Sequence, residues 1–191
     1  MHKRSGFPGY ANGNARLTIR GECSGDISAV RIVNRLAFGQ TAEANLVDLL
    51  RKRHKLLLSL VASFESRIVG HIAFSPVRIL PESQSGSGAG LGPMAVIPEY
   101  QRMGIGSALV TEGLRRCRQL GLNYVVVLGH ASYYPRFGLS PAARYGLTCI
   151  WPVPEGAFMA LELNTGSLCG KKGTAAYEPE FSDVTPEDGY L

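Results

Sequence analysis

The sequence predicts an α/β fold with a mixed central sheet flanked by helices, and two neighbouring segments carry that prediction. Between residues 91 and 128 a strand, a long helix and a second strand follow one another. The second strand, residues 124–128, is apolar at odd and even positions alike, which is typical of a strand buried on both faces. A helical crossover places two such strands parallel. Before them, residues 56–64 and 67–75 are separated by two residues and predict an antiparallel hairpin.

Helices and shorter strands on either side complete the predicted sheet. Residues 17–20 predict a first strand, and Asp26 is placed to cap a helix whose apolar positions recur at helical spacing. A second helix is predicted over residues 41–53, with cations at the end that the helix dipole favours for them. The last strands are predicted over residues 145–151 and 157–163.

A segment rich in glycine and serine, residues 82–90, precedes the strand that begins at Leu91. Pro76 and Pro81 bracket the predicted end of the hairpin before it. Glycine and serine carry no apolar side chain that would stabilise an ordered conformation. We therefore interpret this segment as a flexible insertion and not as a boundary between domains.

The length and composition favour one globular domain. A chain of 191 residues with 45% hydrophobic and 18% charged residues can bury one sizeable core. We expect a flexible leader over residues 1–15, one domain over 16–165 and a C-terminal extension over 166–191. The net charge of +5 favours polyanionic partners, which include nucleic acids and phosphate-bearing cofactors alike.

The four cysteines are widely separated and form no C-x-x-C pair, so we expect reduced thiols in a cytoplasmic protein. The first 15 residues lack the apolar run of a signal peptide. The longest apolar run, residues 56–64, is far shorter than the roughly 20 residues that span a bilayer, so we expect no membrane association.

The most informative stretch is the loop between the strand that ends near Ile97 and the following helix. It reads Gln101-Arg102-Met103-Gly104-Ile105-Gly106-Ser107. Glycines let the backbone approach a ligand closely, and the unpaired amides of a first helical turn converge on an anion. Arg102 adds a permanent cation at the positive end of the helix dipole. The loop therefore predicts a site for a pyrophosphate group.

Two other phosphate-binding motifs fit this loop less well. A dinucleotide-binding G-x-G-x-x-G would require glycine at the position of Leu109. A P-loop would require Gly-Lys at a fixed distance after a glycine, and the chain does not have it. The structural alternative is that Gly104 and Gly106 only begin a tightly packed helix and that Arg102 is a solvated charge.

The complete pattern Q-R-x-G-x-G, between a strand and a helix, resembles the signature of the GNAT acyltransferase superfamily. The stretches 91–96 and 98–100 are similar to the strand and lead-in of that family. The resemblance implies the GNAT acyl-CoA N-acyltransferase fold, acetyl-CoA as co-substrate and no metal. It implies that strand and loop bind the pantetheine arm and the pyrophosphate through Met94, Ala95, Val96, Gln101, Arg102, Met103, Gly104, Ile105, Gly106 and Ser107. The backbone N–H near Val96 would stabilise the oxyanion.

A tyrosine pair follows the strand that ends at Leu128. Tyr134 lies four residues before Gly138, and this spacing resembles the GNAT element in which a tyrosine approaches the cofactor sulfur. A neutral phenol, with a usual pKa of about 10, can protonate a departing thiolate. We therefore predict Tyr134 as the general acid. For Tyr133, a structural role as a half-buried aromatic residue with its hydroxyl at the rim is at least as good an interpretation as a functional one.

The base that deprotonates the acceptor amine is not fixed by the sequence. His71, His130 and Glu99 are candidates, and each fits a structural role better. Arginines 115, 116 and 118 could reach the 3′-phosphate of the cofactor, but cations at the end of a helix are usually surface residues matched to its dipole.

Several further stretches, including residues 69–76, 133–138 and 158–163, resemble the YhbS-type acetyltransferases; this chain has Gly138-Leu139 where many relatives have Gly-Phe. The resemblance implies an N-acetyltransferase that acts on an amine-bearing acceptor, either a small molecule or a protein. A homodimer is compatible with it. The alternative is a non-catalytic acyl-CoA-binding or regulatory module. We do not expect a nucleic-acid partner, because the basic residues lack interleaved aromatics.

Overall fold

The computed structural model describes residues 17–81 and 86–183. The predicted leader and residues 82–85 of the predicted insertion lie outside these ranges. In the described part, nine strands form one mixed sheet with helices against both faces, which confirms the predicted fold class.

The helices and the predicted strands occur in the predicted order, and two further strands, at residues 140–141 and 173–177, were not predicted. The α-helices are α1 (Ile27–Phe38), α2 (Ala42–Lys52) and α3 (Ile105–Gln119). The strands are β1 (Leu17–Gly21), β2 (Leu58–Phe64), β3 (Arg67–Leu80), β4 (Gly88–Val96), β5 (Tyr124–Leu128), β6 (Ser140–Pro141), β7 (Leu147–Cys149), β8 (Phe158–Glu162) and β9 (Gly173–Tyr177).

The sheet has the order β1-β2-β3-β4-β5-β8-β6, and β9 pairs with both β3 and β7. The predicted hairpin is confirmed, because β2 and β3 are antiparallel. The predicted parallel pairing across the helical crossover is also confirmed, because β4 and β5 are parallel through Leu91 and Val127. The remaining pairs are antiparallel, apart from β7 with β9.

The fully apolar strand β5 is covered on both faces, as its sequence predicts. Val125 and Val127 pack in the cluster beneath α3, whereas Val126 and Leu128 pack in the cluster beneath α2. All five residues of the strand are buried. This strand therefore forms the centre of the core and fixes the positions of the helices on either side.

The strand β4 begins earlier than predicted, inside the segment that we interpreted as a flexible loop. A Cβ atom at Gly88 would lie 2.0 Å from the ring of Tyr124, and one at Gly90 would lie 2.5 Å from the ring of Tyr177. These glycines are required because two aromatic rings occupy the space of a side chain. The glycines at positions 88 and 90 therefore reflect close packing in β4.

The strand β3 is also longer than predicted and continues through Pro76. On one side β3 pairs with β2 as far as Phe74 and with β9 from Val77 onward, so Pro76 lies between these two partners. A residue without an N–H is tolerated where no ladder hydrogen bond is needed.

Asp26 also differs from its prediction. Its carboxylate binds Arg20 and the Cys23 amide instead of capping α1.

Candidate active site

A cleft of about 920 Å³ opens where β4 and β5 separate. Pairing between the two strands ends at Leu91 and Val127, although β4 continues to Val96. A β-bulge of β3 against β4 lies at the same level, and bulges bend strands. The residues that line the cleft are Ala37, Phe38, Met94, Val96, Tyr100, Gln101, Arg102, Gly104, Gly106, Ser107, Gly129, His130, Ser132, Tyr133, Tyr134 and Arg136.

One wall of the cleft is the edge of β4 that β5 leaves uncovered. The Ile97 amide donates a hydrogen bond to the Val69 carbonyl at 3.0 Å. Because residues of an antiparallel ladder alternate in the direction of their hydrogen bonds, the backbone groups of Met94 and Val96 point away from β3. They therefore face the cleft, where the Val96 carbonyl accepts from Gln101 Nε2, and the Met94 groups and the Val96 amide are placed to bind an extended ligand.

The glycine-rich loop and the first turn of α3 form one end of the cleft. Gly104 precedes the helix with a φ of 82°, a left-handed conformation that favours glycine. The first helical hydrogen bond runs from the Ala108 amide to the Gly104 carbonyl. The preceding amides, from Ile105 to Ser107, therefore have no acceptor within the helix and can bind an anion.

Gly106 leaves a narrow space between the two walls of the cleft. A Cβ atom there would lie 2.9 Å from the Tyr133 hydroxyl and 3.4 Å from the sulfur of Met94. Ser107 Oγ is 3.5 Å from the same hydroxyl. The absence of a side chain at Gly106 thus keeps the first-turn amides accessible from the cleft.

The two polar side chains of the loop have different surroundings. Gln101 donates from Nε2 to the carbonyl of Val96 at 2.9 Å, which fixes the loop to the end of β4. Arg102 lines the cleft and is exposed, with a φ of 61°. Its guanidinium is therefore available at the positive end of the α3 dipole.

Three of the predicted cofactor-binding residues do not line the cleft with their side chains. Ala95 is buried in the strand opposite His71. Ile105 and Met103 pack in or against the core beneath α3. These residues can contribute only through their backbone or by supporting neighbours that face the cleft.

Tyr134 lies at the opposite wall, in a 3-10 turn after β5. Its ring packs directly against Gly129, where a Cβ atom would lie 2.3 Å from the ring. Burial, with a smaller contribution from Tyr133, raises the pKa of Tyr134 above its ordinary value. The hydroxyl therefore stays protonated at neutral pH and can act as a proton donor.

Tyr133 also lines the cleft, and its ring is held by three neighbours. It makes edge contacts with Tyr134 and Phe137, at centroid distances of 5.1 and 5.4 Å. The guanidinium carbon of Arg136 lies 4.7 Å from the ring centroid. The sequence left Tyr133 undecided and did not single out Arg136.

His71 is fully buried away from the cleft, and both ring nitrogens are hydrogen-bonded. Asn34 Nδ2 can only donate, so Nδ1 of His71 accepts at 3.2 Å. Nε2 then carries the proton and donates to Ser59 at 3.0 Å, and Ser59 donates to Glu22. Burial, together with the nearby charge of Arg51, lowers the pKa of His71 to about 3. These contacts give His71 a structural role.

The other two candidate bases differ in position. His130 lines the cleft, whereas Glu99 is exposed in the turn before the loop and does not line it. Among the described residues, no group of three or more histidine, cysteine or acidic side chains could hold a metal ion.

The α1 helix supplies part of the cleft that sequence reasoning missed. Ala37 and Phe38, at its C-terminal end, line the cleft beside the β4 edge. Nothing in their local pattern distinguishes them from ordinary core-facing residues. Their placement depends on how α1 crosses the sheet, which a single sequence does not specify.

A model described as the acetyltransferase (GNAT) family matches residues 30–138. The chain belongs to the GNAT family. Two curated relatives from Escherichia coli strain K12 agree with this and with the YhbS-type resemblance. The uncharacterized N-acetyltransferase YhbS is 36% identical over 87% of this chain and 99% of its own length. The uncharacterized N-acetyltransferase YjhQ is 43% identical over 68% of this chain and 74% of its own length.

Solved GNAT structures share the fold. The crystal structure of YhbS from Escherichia coli in complex with CoA has a TM-score of 0.86 at 34% identity, and covers 93% of this chain and 98% of that one. A GNAT acetyltransferase from Brucella melitensis in complex with acetyl-CoA has a TM-score of 0.73 at 34% identity, and covers 88% and 99%. Over residues 17–81 and 86–183, none of the helices of this GNAT chain combines the length and the apolar character of a membrane span.

Proposed function

We propose that this protein transfers an acetyl group from acetyl-CoA to a primary amine by direct attack. The observation that carries the proposal is the arrangement of one cleft. Its walls combine first-turn amides at the start of α3, the uncovered edge of β4 and Tyr134, whose buried hydroxyl stays protonated. Two structures that are 34% identical to this chain, one with CoA and one with acetyl-CoA, support the same donor.

The described residues fit a CoA thioester along the whole length of the cleft. The first-turn amides and Arg102 would bind the pyrophosphate. The outward-facing peptide groups of Met94 would pair with an amide of the pantetheine arm, as one strand pairs with another, and the Val96 amide is left for the reacting carbonyl. A volume of about 920 Å³ is near the upper end of the usual range for ligand sites.

The reacting end of the ligand would then lie between Val96 and Tyr134. The amine nitrogen attacks the thioester carbonyl, whose oxygen becomes negative and accepts a hydrogen bond from the Val96 amide. When the carbon–sulfur bond breaks, Tyr134 gives its proton to the thiolate. The resulting phenolate takes a proton from water, and the amide product loses the excess proton of the attacking amine to solvent.

The acceptor must reach the carbonyl as a neutral amine, although an alkyl amine is almost wholly protonated near pH 7. His130 is the histidine that lines the cleft, and water in the cleft is the other route for this proton. Ala37 and Phe38 give the acceptor side an apolar wall. An amine carried by a small molecule and one carried by a protein fit the same chemistry.

A substitution of Tyr134 tests the proposed mechanism. Tyr134→Phe should lower kcat by about 100- to 10,000-fold and leave the KM for acetyl-CoA nearly unchanged, because only proton transfer is lost. Tyr145→Phe, outside the cleft lining, is the matched control and should retain activity. The measurement is release of free CoA thiol with a panel of amines. Full activity of Tyr134→Phe would remove this residue from the mechanism.

The same measurement separates catalysis from simple binding. If acetyl-CoA binds in calorimetry but no amine in the panel gives turnover, the non-catalytic acyl-CoA-binding module is the better description.

We infer a cytoplasmic location in the cell from the four free thiols. Cell fractionation combined with thiol labelling tests this location.

A further inference from the structure

Two arginines line the cleft, and they belong to opposite walls. Arg102 lies on the loop before α3, whereas Arg136 lies in the turn after β5. The proposed function uses Arg102 at the pyrophosphate and leaves Arg136 without a role. A second permanent cation on the other wall requires its own explanation.

Arg136 is held in place by the ring of Tyr133. Its guanidinium carbon lies 4.7 Å from the ring centroid, and its Nη2 donates only a long hydrogen bond of 3.4 Å to the Ser132 carbonyl. Among residues 17–81 and 86–183, no carboxylate forms an ion pair with it. Stacking on an aromatic ring orients the planar fork while its donors remain available, and this geometry suits a phosphate.

Tyr133 also defines how far Arg136 lies from the start of α3. The Tyr133 hydroxyl is 3.5 Å from Ser107 Oγ, whereas Arg136 lies over the face of the same ring. The cation and the first turn of α3 are therefore neighbours of one tyrosine ring, the cation at its face and the turn at its hydroxyl. A phosphate that is one ribose away from the pyrophosphate would fit such a position.

The arginines of α3 are less suitable for such a phosphate. Arg115 and Arg116 both bind the carboxylate of Glu112, at 2.7 and 2.8 Å. These two arginines hold the pKa of Glu112 down at about 2, so that the carboxylate stays charged. They also lie about 15 Å along the helix from its first turn. Their ion pairs with Glu112 and their distance from the first turn both make these two arginines less suitable for binding the cofactor.

We propose that Arg136, oriented by stacking on Tyr133, binds the 3′-phosphate of CoA. This inference rests on the proposed function, because it assumes that the pyrophosphate lies at the first turn of α3. Arg136 is then a binding residue that discriminates CoA from its analogue without the 3′-phosphate, and it has no part in the chemistry.

Calorimetric titration with CoA and with dephospho-CoA tests the proposal. The unmodified protein should bind CoA at least about tenfold more tightly, since a charge-assisted hydrogen bond to phosphate contributes that much. Arg136→Gln should bring the two affinities together by weakening CoA and leaving dephospho-CoA unchanged. Arg136→Lys keeps the charge but not the planar fork, and should restore part of the difference.

Arg118→Gln is the matched control, because it removes the same charge from an exposed position in the last turn of α3. This variant should preserve the full preference for CoA. Equal affinity of the unmodified protein for the two nucleotides would overturn the proposal. So would an equal loss for both in Arg136→Gln, since that would place Arg136 at the pyrophosphate. Failure of the unmodified protein to bind either nucleotide would instead overturn the proposed function, and this inference with it.

Discussion

Single glycine residues decide how the start of α3 can meet a ligand. Gly104 and Gly121 flank this helix, and both have left-handed φ angles, 82° and 74°. An alanine in that conformation costs roughly 1–2 kcal/mol. The two positions therefore share the same backbone strain, although only Gly104 lies in the cleft.

We predict that Gly104→Ala and Gly121→Ala lower the melting temperature by similar amounts. Only Gly104→Ala should weaken binding of acetyl-CoA, by severalfold or more, because relief of its strain turns the first-turn amides away from the cleft. Differential scanning fluorimetry and calorimetry measure the two effects. Unchanged affinity in Gly104→Ala would show that these amides do not bind the ligand.

At the residue scale, the sequence predicts those parts of the site that lie close together along the chain. The loop with Gly104 and Gly106 and the tyrosine at position 134 have fixed spacings, and the structure brings both to one cleft. Phe38 and Arg136 have no such local pattern. Their roles depend on contacts between segments that are far apart in sequence, so they could not be predicted.

At the scale of the elements, α3 approaches the sheet closely at Gly113. A Cβ atom there would lie 2.6 Å from the ring of Phe74 in β3. Alanine is the better helix former by about 1 kcal/mol, but overpacking of a core typically costs about 1–3 kcal/mol. Contact with the sheet, and not helix propensity, therefore selects glycine at this position.

We predict that Gly113→Ala destabilises the protein by about 1 kcal/mol in urea unfolding, in spite of the higher helix propensity. The double variant with Phe74→Leu should be less destabilised than the sum of the two single changes, because the smaller side chain removes the clash. Additive effects would mean that the two residues are not in contact. A more stable Gly113→Ala variant would mean that α3 lies further from the sheet.

The buried hydrogen-bond chain from Asn34 through His71 to Ser59 joins α1 to β3 and β2. Its histidine has a pKa of about 3 in the folded protein, compared with about 6.5 when unfolded. Between these values the unfolded chain binds a proton that the folded protein does not bind. Stability therefore falls as pH falls from about 6.5 toward 3.

We predict that His71→Gln has a shallower dependence of unfolding free energy on pH in this range. One proton corresponds to a slope of at most about 1.4 kcal/mol per pH unit. Urea titrations between about pH 4.5 and 6.5 measure that slope, which is independent of any overall loss of stability in the variant. Identical slopes in the two proteins would show that His71 is protonated in the folded state.

Prediction of the elements from sequence was accurate where a strand contains large apolar residues, as in β5. It was wrong for the first part of β4, because Gly88 and Gly90 were interpreted as signs of a loop. The rings of Tyr124 and Tyr177 that exclude a side chain there come from other strands. The local composition of a segment carries no information about a packing partner that is distant in sequence.

At the scale of the whole molecule, residues 173–181 are part of the sheet and of the core. The strand β9 pairs with β3 and β7, and the side chains of Tyr177 and Phe181 are buried. Glu180, also buried, forms ion pairs with Arg53 and Lys55 beside α2. Burial of each aromatic side chain contributes about 1.5–3 kcal/mol, a large part of typical domain stability.

We predict that a chain ending at Lys172 shows no cooperative thermal transition, because it exposes the cluster that these residues cover. A chain ending at Asp183 keeps every described element and is the control, with a sharp transition expected by circular dichroism. A cooperative transition in the shorter chain, at an unchanged temperature, would show that this segment contributes nothing to folding.

The uncovered edge of β4 has a consequence for the protein without its ligand. In the middle of the sheet, and not at its periphery, the Met94 peptide groups and the Val96 amide face the cleft, whereas the Val96 carbonyl accepts from Gln101. An entering pantetheine arm would displace water from these cleft-facing groups and act as a temporary tenth strand. The ligand would therefore connect the two halves of the sheet. The sheet would then be more rigid when the cleft is occupied than when it is empty.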